Sequence, residues 1–171
     1  NVAWSLTAFE NGNWHPLTLV AHMLNVQLFG LDPAGHHIVN LALHVANVLL
    51  LFWLLAEATL QPWPSAFVAA LFAVHPLNVE TVAWISELKS LLSTAFWLLA
   101  LMAHVRFRNT RSVKSYLLVM ACAALALASK PMAVTLPAVL LLLDAWPLGR
   151  LDRATFPRLV GEKLPHIVLA G

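Results

Sequence analysis

The sequence predicts an all-α fold: a polytopic bundle of membrane helices with about five spans and one interfacial helix. Three observations carry that reading. Hydrophobic types make up 60% of the 171 residues and charged ones 11%, with a mean hydropathy of +0.77, whereas soluble domains hold about 25% charged residues and need them to cover their outside. Seven tryptophans stand against a single tyrosine, which fits anchoring at a membrane interface. The basic residues also divide unequally between the two sides that alternating spans create. A soluble enzyme, a disordered tail and a nucleic-acid binder are excluded: ten basic residues scattered through apolar sequence make no stripe that could track a phosphate backbone. The lone Cys122 builds neither a disulfide framework nor a thiolate metal site.

Residues 1–37 form an outer loop that contains an amphipathic helix over Pro16 to Leu31. Leu17, Val20, Leu24 and Leu28 recur at helical spacing, His22, Asn25 and Gln27 turn elsewhere, and Gly30 and Pro33 stop it. Too short and too polar to cross, it lies along the interface; a plain anchor and a wall of an active-site cavity both fit. Five membrane segments follow over 38–143. Ile38 to Ala56 is the best span, since 19 residues reach about 28 Å. Ser65 to Val74, between Pro64 and His75-Pro76, is too short alone, so it packs inside the bundle or continues past Pro76 as a kinked helix toward Ile85. Leu91 to Val105, Tyr116 to Ala128, and Met132 to Leu143 with Pro137 inside complete the set. Residues 144–163 are expected in a cytoplasmic loop and 164–171 at the start of a truncated span. With no initiator methionine, the chain is expected to be a fragment of a longer polytopic protein.

Loop charges orient the bundle. Arg106, Arg108, Arg111 and Lys114 share one loop, and Arg150, Arg153, Arg158 and Lys163 another. Alternation puts both on one side, against only Lys89 and Lys130 on the other, and the positive-inside rule assigns the eight to the cytoplasm. The outer side then receives His15, His22, His36, His37 and His75, with Glu10, Asp32, Glu80 and Glu87. Polar chemistry is expected on that outer face.

On the first span, His37, Asn40, His44 and Asn47 share one helical face, which must look into the bundle because unsatisfied polar groups in lipid cost several kcal/mol each. Helix–helix hydrogen bonding explains the deeper three; His36 and His37, at the outer mouth, are candidates for a ligand site. His75, Glu80, Glu87 and Lys89 cluster where a proline breaks the helix. Ionisable groups at such a boundary point to function, or to a Glu–Lys pair snorkelling at the interface. Lys89 and Lys130 are the two cations on a cation-poor face, and a fixed ammonium there suits the phosphate of a lipid carrier; capping of helix carbonyls is the alternative. The sequence carries no Walker loop, dinucleotide-binding glycine pattern, GxSxG or HExxH. Only His44 and His104 lie within spans, near opposite ends of theirs, which argues against a bis-histidine haem. A metal site on His36, His37 or His75 with a carboxylate is open, without diagnostic spacing.

Several strings carry a family resemblance across essentially the whole chain. Asn13-Trp14-His15-Pro16-Leu17-Thr18 and Gln27-Leu28-Phe29-Gly30-Leu31-Asp32-Pro33-Ala34-Gly35-His36-His37 come first. Val39-Asn40-Leu41 to His44, Ala73-Val74-His75-Pro76 with Glu80, and Lys130-Pro131-Met132 with Val134-Thr135-Leu136-Pro137 follow in order. Leu143-Asp144-Ala145-Trp146-Pro147-Leu148-Gly149-Arg150 completes the series. Together they resemble the TMTC (transmembrane and tetratricopeptide repeat-containing) family and its bacterial relatives, which are similar to GT-C glycosyltransferases.

The resemblance implies an integral membrane enzyme, in a bacterium of the inner membrane with its site facing the periplasm. It would transfer a mannose-like sugar from a polyprenyl-phosphate carrier to a protein hydroxyl, with a divalent cation an open question. The acidic motif that looks like the family's catalytic base lies upstream of the segment matching Asn1, so catalysis by this stretch alone is not expected. In that frame Lys130 and Lys89 bind the lipid phosphate, His15, His36, His37 and His75 line the sugar or acceptor site, and Glu80 and Glu87 support them. The partners are the lipid-linked donor, the acceptor protein and membrane lipid, without nucleic acid. The alternative is a non-catalytic membrane scaffold or transporter-like bundle that anchors a soluble repeat domain.

Overall fold

A computed structural model describes residues 2–5, 14–149 and 156–170. The described residues form helices and connecting turns: α1 (Val2–Ser5), α2 (Pro16–Phe29), α3 (Pro33–Thr59), α4 (Pro62–Val74), α5 (Leu77–Ala83), α6 (Leu88–Thr110), α7 (Val113–Ser129), α8 (Leu136–Ala145) and α9 (Phe156–Ala170), with 3-10 turns at Ile85–Glu87 and Pro131–Thr135. The Asp32 side chain caps α3 by accepting from the Ala34 amide at 3.0 Å, and Pro33 occupies the first turn, where a missing N–H costs nothing.

Side-chain bonds fix the direction of the helices. Asn40 reaches the Trp84 carbonyl and Asn47 the Leu91 carbonyl, so α3 and α6 run in the same sense. His44 meets the Ala73 carbonyl near the end of α4, and Ser93 on α6 meets the Ala126 carbonyl on α7, so α4 and α7 return. His104 near the end of α6 meets Asp144 near the end of α8. Each of the five expected segments is therefore helical, and they alternate.

By length and composition, however, two helices can cross a membrane, Pro33–Thr59 and Ile85–Thr110, or three if Pro62–Val74 and Leu77–Ala83, bent by 61°, count as one broken span. Val113–Ser129 and Pro131–Ala145 are apolar but shorter. A second difference concerns 144–163, expected as loop: 156–163 is helical, part of α9.

The core lies between α3, α6, α7 and α8, around Leu54, Leu98, Leu101, Val105, Val119, Leu136 and Leu140. Ala100 and Ala103 on α6 and Ala123 and Ala126 on α7 are buried where these two helices pack, since small side chains let helix backbones approach. Outward, Leu41, Val45, Leu49 and Trp53 form an exposed stripe along α3, as a lipid-facing helix requires. The same inversion appears on α2, where Leu24 and Leu28 are exposed while Thr18 and Asn25 are buried.

Candidate functional site: a two-lysine cavity at one end of the bundle

The local structure begins with a broken helix. Pro76 has no N–H, so the Phe72 carbonyl loses its donor four residues on. The Asn78 side-chain amide replaces it at 2.6 Å. The next break, at Trp84, frees further carbonyls, and Asn40 donates to Trp84 O at 2.9 Å and Val82 O at 3.3 Å. Asn47 donates to Leu91 O at 3.0 Å. The polar face of α3 thus looks into the bundle and binds backbone carbonyls, at the broken connection between α4 and α6 for Asn40 and His44 and inside α6 for Asn47. One member differs from expectation: His36 is buried on this face and His37 is exposed.

These breaks deliver the 3-10 turn Ile85–Glu87 and the start of α6 to the same end as the C-terminus of α7. There a cavity of about 410 Å³ is lined by His15, Thr18, Leu19, His22, Ser86, Lys89, Ser129, Lys130, Pro131 and Met132. Thr18 ties α2 to this corner through a 3.0 Å bond to the Ser129 carbonyl. One carboxylate serves both lysines: Lys89 Nζ lies 3.5 Å from Glu87 Oε1 and Lys130 Nζ 3.9 Å from Glu87 Oε2. Between them stands Ser90, whose hydroxyl donates to Glu87 Oε2 and accepts from Lys130 Nζ at 2.7 Å. Two ammonium groups and one carboxylate leave one positive charge facing an imidazole-bearing wall, an arrangement suited to an anion. Lys130 also lines a groove of about 320 Å³ with Ser90, Ser93, Thr94, Trp97, Met132 and Ala133.

Of the candidates read from sequence, His15, Lys89 and Lys130 line the cavity, and Glu87 joins them through its ion pairs with the two lysines. The others do not line it. His36 Nε2 donates to the Gly30 carbonyl at 3.1 Å, at the α2–α3 corner, leaving Nδ1 buried without a hydrogen-bond partner. His37 and Glu80 are exposed. His75 Nδ1 accepts from the Leu77 amide at 3.2 Å, and the ring lines a separate apolar recess with His44 and Asn78. Thr18, His22, Ser86 and Ser129 were not singled out as site residues. His15, Thr18 and His22 sit at i, i+3 and i+7, one helical face, so that wall was readable from spacing. Among the described residues, no three His, Cys, Asp or Glu side chains gather to hold a metal ion.

The opposite end holds a second ionic group. Asp144 accepts from His104 Nε2 at 3.0 Å and from Lys163 Nζ at 2.7 Å, with all three residues at most 3% exposed. Arg106, Arg108, Arg111 and Lys114, where α6 passes to α7, share this end, about 30 Å along α6 from Lys89.

Residues 15–161 match the family described as dolichyl-phosphate-mannose-protein mannosyltransferase. The chain belongs to this family. Among curated proteins it is 36% identical over 128 residues to Protein O-mannosyl-transferase Tmtc1 of Drosophila melanogaster, covering 74% of this chain and 15% of that protein. It is 31% identical over 160 residues to TMTC2 of Mus musculus (88% and 19%) and 34% identical over 110 residues to TMTC1 of Homo sapiens (62% and 12%). The chain thus spans less than a fifth of the length of these relatives. No solved structure matches it.

The TMTC-like resemblance read from the residues is borne out, as is an integral membrane protein of a glycosyltransferase family. In this mannosyltransferase-family chain, strings far apart in sequence meet at the cavity: His15 comes from the first, and Lys130, Pro131 and Met132 from a later one. The last string supplies Asp144 to the buried ionic group.

Proposed function

We propose that the chain is part of a GT-C-type membrane mannosyltransferase whose cavity receives the phosphate of a polyprenyl-phosphate-linked sugar, on the lumenal or periplasmic side. In a bacterium the membrane would be the inner one. The observation that carries the reading is the pairing of Lys89 and Lys130 around a single Glu87 at the mouth of a cavity walled by His15 and His22. A phosphate there meets fixed ammonium donors as charge develops on the departing lipid phosphate, and such preorganised charge is among the larger contributions to catalysis. An acceptor hydroxyl of a protein attacks the anomeric carbon. The family resemblance puts the carboxylate that takes its proton in an acidic motif upstream of the segment matching Asn1, and Glu87 holds the lysines rather than serving as that base. His15 and His22 offer hydrogen bonds to sugar or phosphate.

The test is mannosyl transfer from polyprenyl-phosphate-mannose to a protein acceptor, measured on the full reading frame that carries this chain. Lys130→Ala is expected to lower turnover about a hundredfold or more, the scale of losing one preorganised donor. Undiminished transfer overturns the phosphate role and favours a scaffold.

A further inference from the structure

We propose that Ser90 is a positioning residue: its hydroxyl holds the Lys130 ammonium off Glu87 and so keeps that charge available to an anion in the cavity. The inference rests on the phosphate-site reading above and adds a residue and a mechanism to it.

A serine hydroxyl has one proton and two lone pairs. Here the proton goes to Glu87 Oε2, so Ser90 can only present a lone pair to Lys130, and it does so at 2.7 Å. Lys130 Nζ stays 3.9 Å from Glu87 Oε2, beyond hydrogen-bond reach. The ammonium is therefore satisfied by a neutral acceptor, with two N–H groups left for other partners. Lys89, 3.5 Å from the other carboxylate oxygen, already draws on the same negative charge.

Without the hydroxyl, the nearest strong acceptor for Lys130 is Glu87 itself, about 1 Å further than contact distance and within easy reach of a flexible lysine stem. The two would close into a direct ion pair, and an incoming phosphate would have to break it. Ser90 also lines the groove shared with Lys130, Thr94 and Trp97, so it stands where the ammonium meets both spaces.

The experiment is a titration of the full-length protein that carries this chain, in phosphatidylcholine nanodiscs, with farnesyl phosphate, and with farnesol as the uncharged comparator. Ser90→Ala is expected to weaken farnesyl phosphate binding about tenfold, the scale of one charge-assisted hydrogen bond, and to leave farnesol binding unchanged. Ser90→Thr, which keeps the hydroxyl, is expected to restore affinity to within about threefold of wild type. Glu87→Gln is expected to tighten binding, since the local charge rises by one, and Ser90→Ala added to Glu87→Gln is expected to change little, because no carboxylate remains to capture the lysine. If Lys130→Ala binds farnesyl phosphate as wild type does, the phosphate-site reading itself fails. If Lys130→Ala weakens binding but Ser90→Ala does not, the positioning role fails alone. An equal loss for farnesol, or an equal loss in the Glu87→Gln background, overturns it in favour of simple packing.

Discussion

Lys163 and Asp144 form an ion pair 2.7 Å long that is closed to solvent on both sides, with 1% and 0% of each residue exposed. Asp144 ends α8 and Lys163 lies on α9, so the pair holds α9 against the bundle, with His104 of α6 on the second carboxylate oxygen. Nearby, Arg111 Nη1 lies 3.4 Å from Glu162 Oε1, and the Tyr116 hydroxyl donates to the Glu162 carbonyl at 3.2 Å. α9 is thus tied to the turn of the α6–α7 hairpin as well.

Breaking this pair from one side leaves a buried charge uncompensated, which costs about 3–5 kcal/mol. Lys163→Met is therefore expected to lower the thermal midpoint in detergent substantially and to release α9 to protease. Asp144→Asn combined with Lys163→Met removes both charges while a side-chain oxygen still accepts from His104, and is expected to recover part of the loss. Thermal unfolding of the two variants and wild type checks both signs. If Lys163→Met unfolds where wild type does, the contact carries no stability.

Asn40 serves two carbonyls freed where α5 ends. Asn40→Leu keeps the branched shape and removes both bonds; Trp84 O still accepts from the Glu87 amide at 3.0 Å, so the loss is that of two ordinary hydrogen bonds, about 0.5–1.5 kcal/mol each. The expected result is a lower thermal midpoint with new cleavage around residues 76–84, since α5 has no buried residues of its own to hold it. Asn40→Asp cannot donate and is expected to behave like Leu; a variant with Asp that keeps wild-type stability contradicts the assignment.

The arrangement was partly readable from the sequence, and the reasons for the rest are physical. Helical spacing identified Asn40, His44 and Asn47 as an inward face because it depends only on the 3.6-residue period. It placed His37 on that face, where the structure has His36, because positions three and four residues before Asn40 both lie one turn away. The choice is made by the Gly30 carbonyl at the end of α2, a tertiary fact. Lys89 and Lys130 were readable because cations are scarce at that end, and His15 because loop charges put it on the same side. Lys163 was not: from sequence it joins a basic loop, and only the folding back of α9 onto α8 reveals its partner 19 residues away. His75 was singled out for its place beside Pro76, and that proline explains its bond, to the Leu77 amide at the break it creates.

The α2–α3 corner gives a third test, one that links packing to the cavity. Gly35 lies in the first turn of α3, and a β-carbon built there falls 2.6 Å from Phe29 Cβ and closer still to the ring. Because Phe29 Cβ sits next to the backbone, no rotation of the ring relieves this contact; the end of α2 has to move. α2 carries Thr18 and His22 on the cavity wall, so Gly35→Ala acts on the site from a distance. A well-formed helix gains about 1 kcal/mol from Gly→Ala, and overpacking costs about 1–3 kcal/mol, so the net expectation is a modest loss of thermal stability. The cavity is expected to suffer more than the fold, with farnesyl phosphate binding weakened several-fold through displaced α2. Adding Phe29→Gly removes both the ring and the β-carbon that obstruct, so the double variant is expected to bind better than Gly35→Ala alone. Equal binding by the single variant and wild type shows that the position of α2 does not control the cavity.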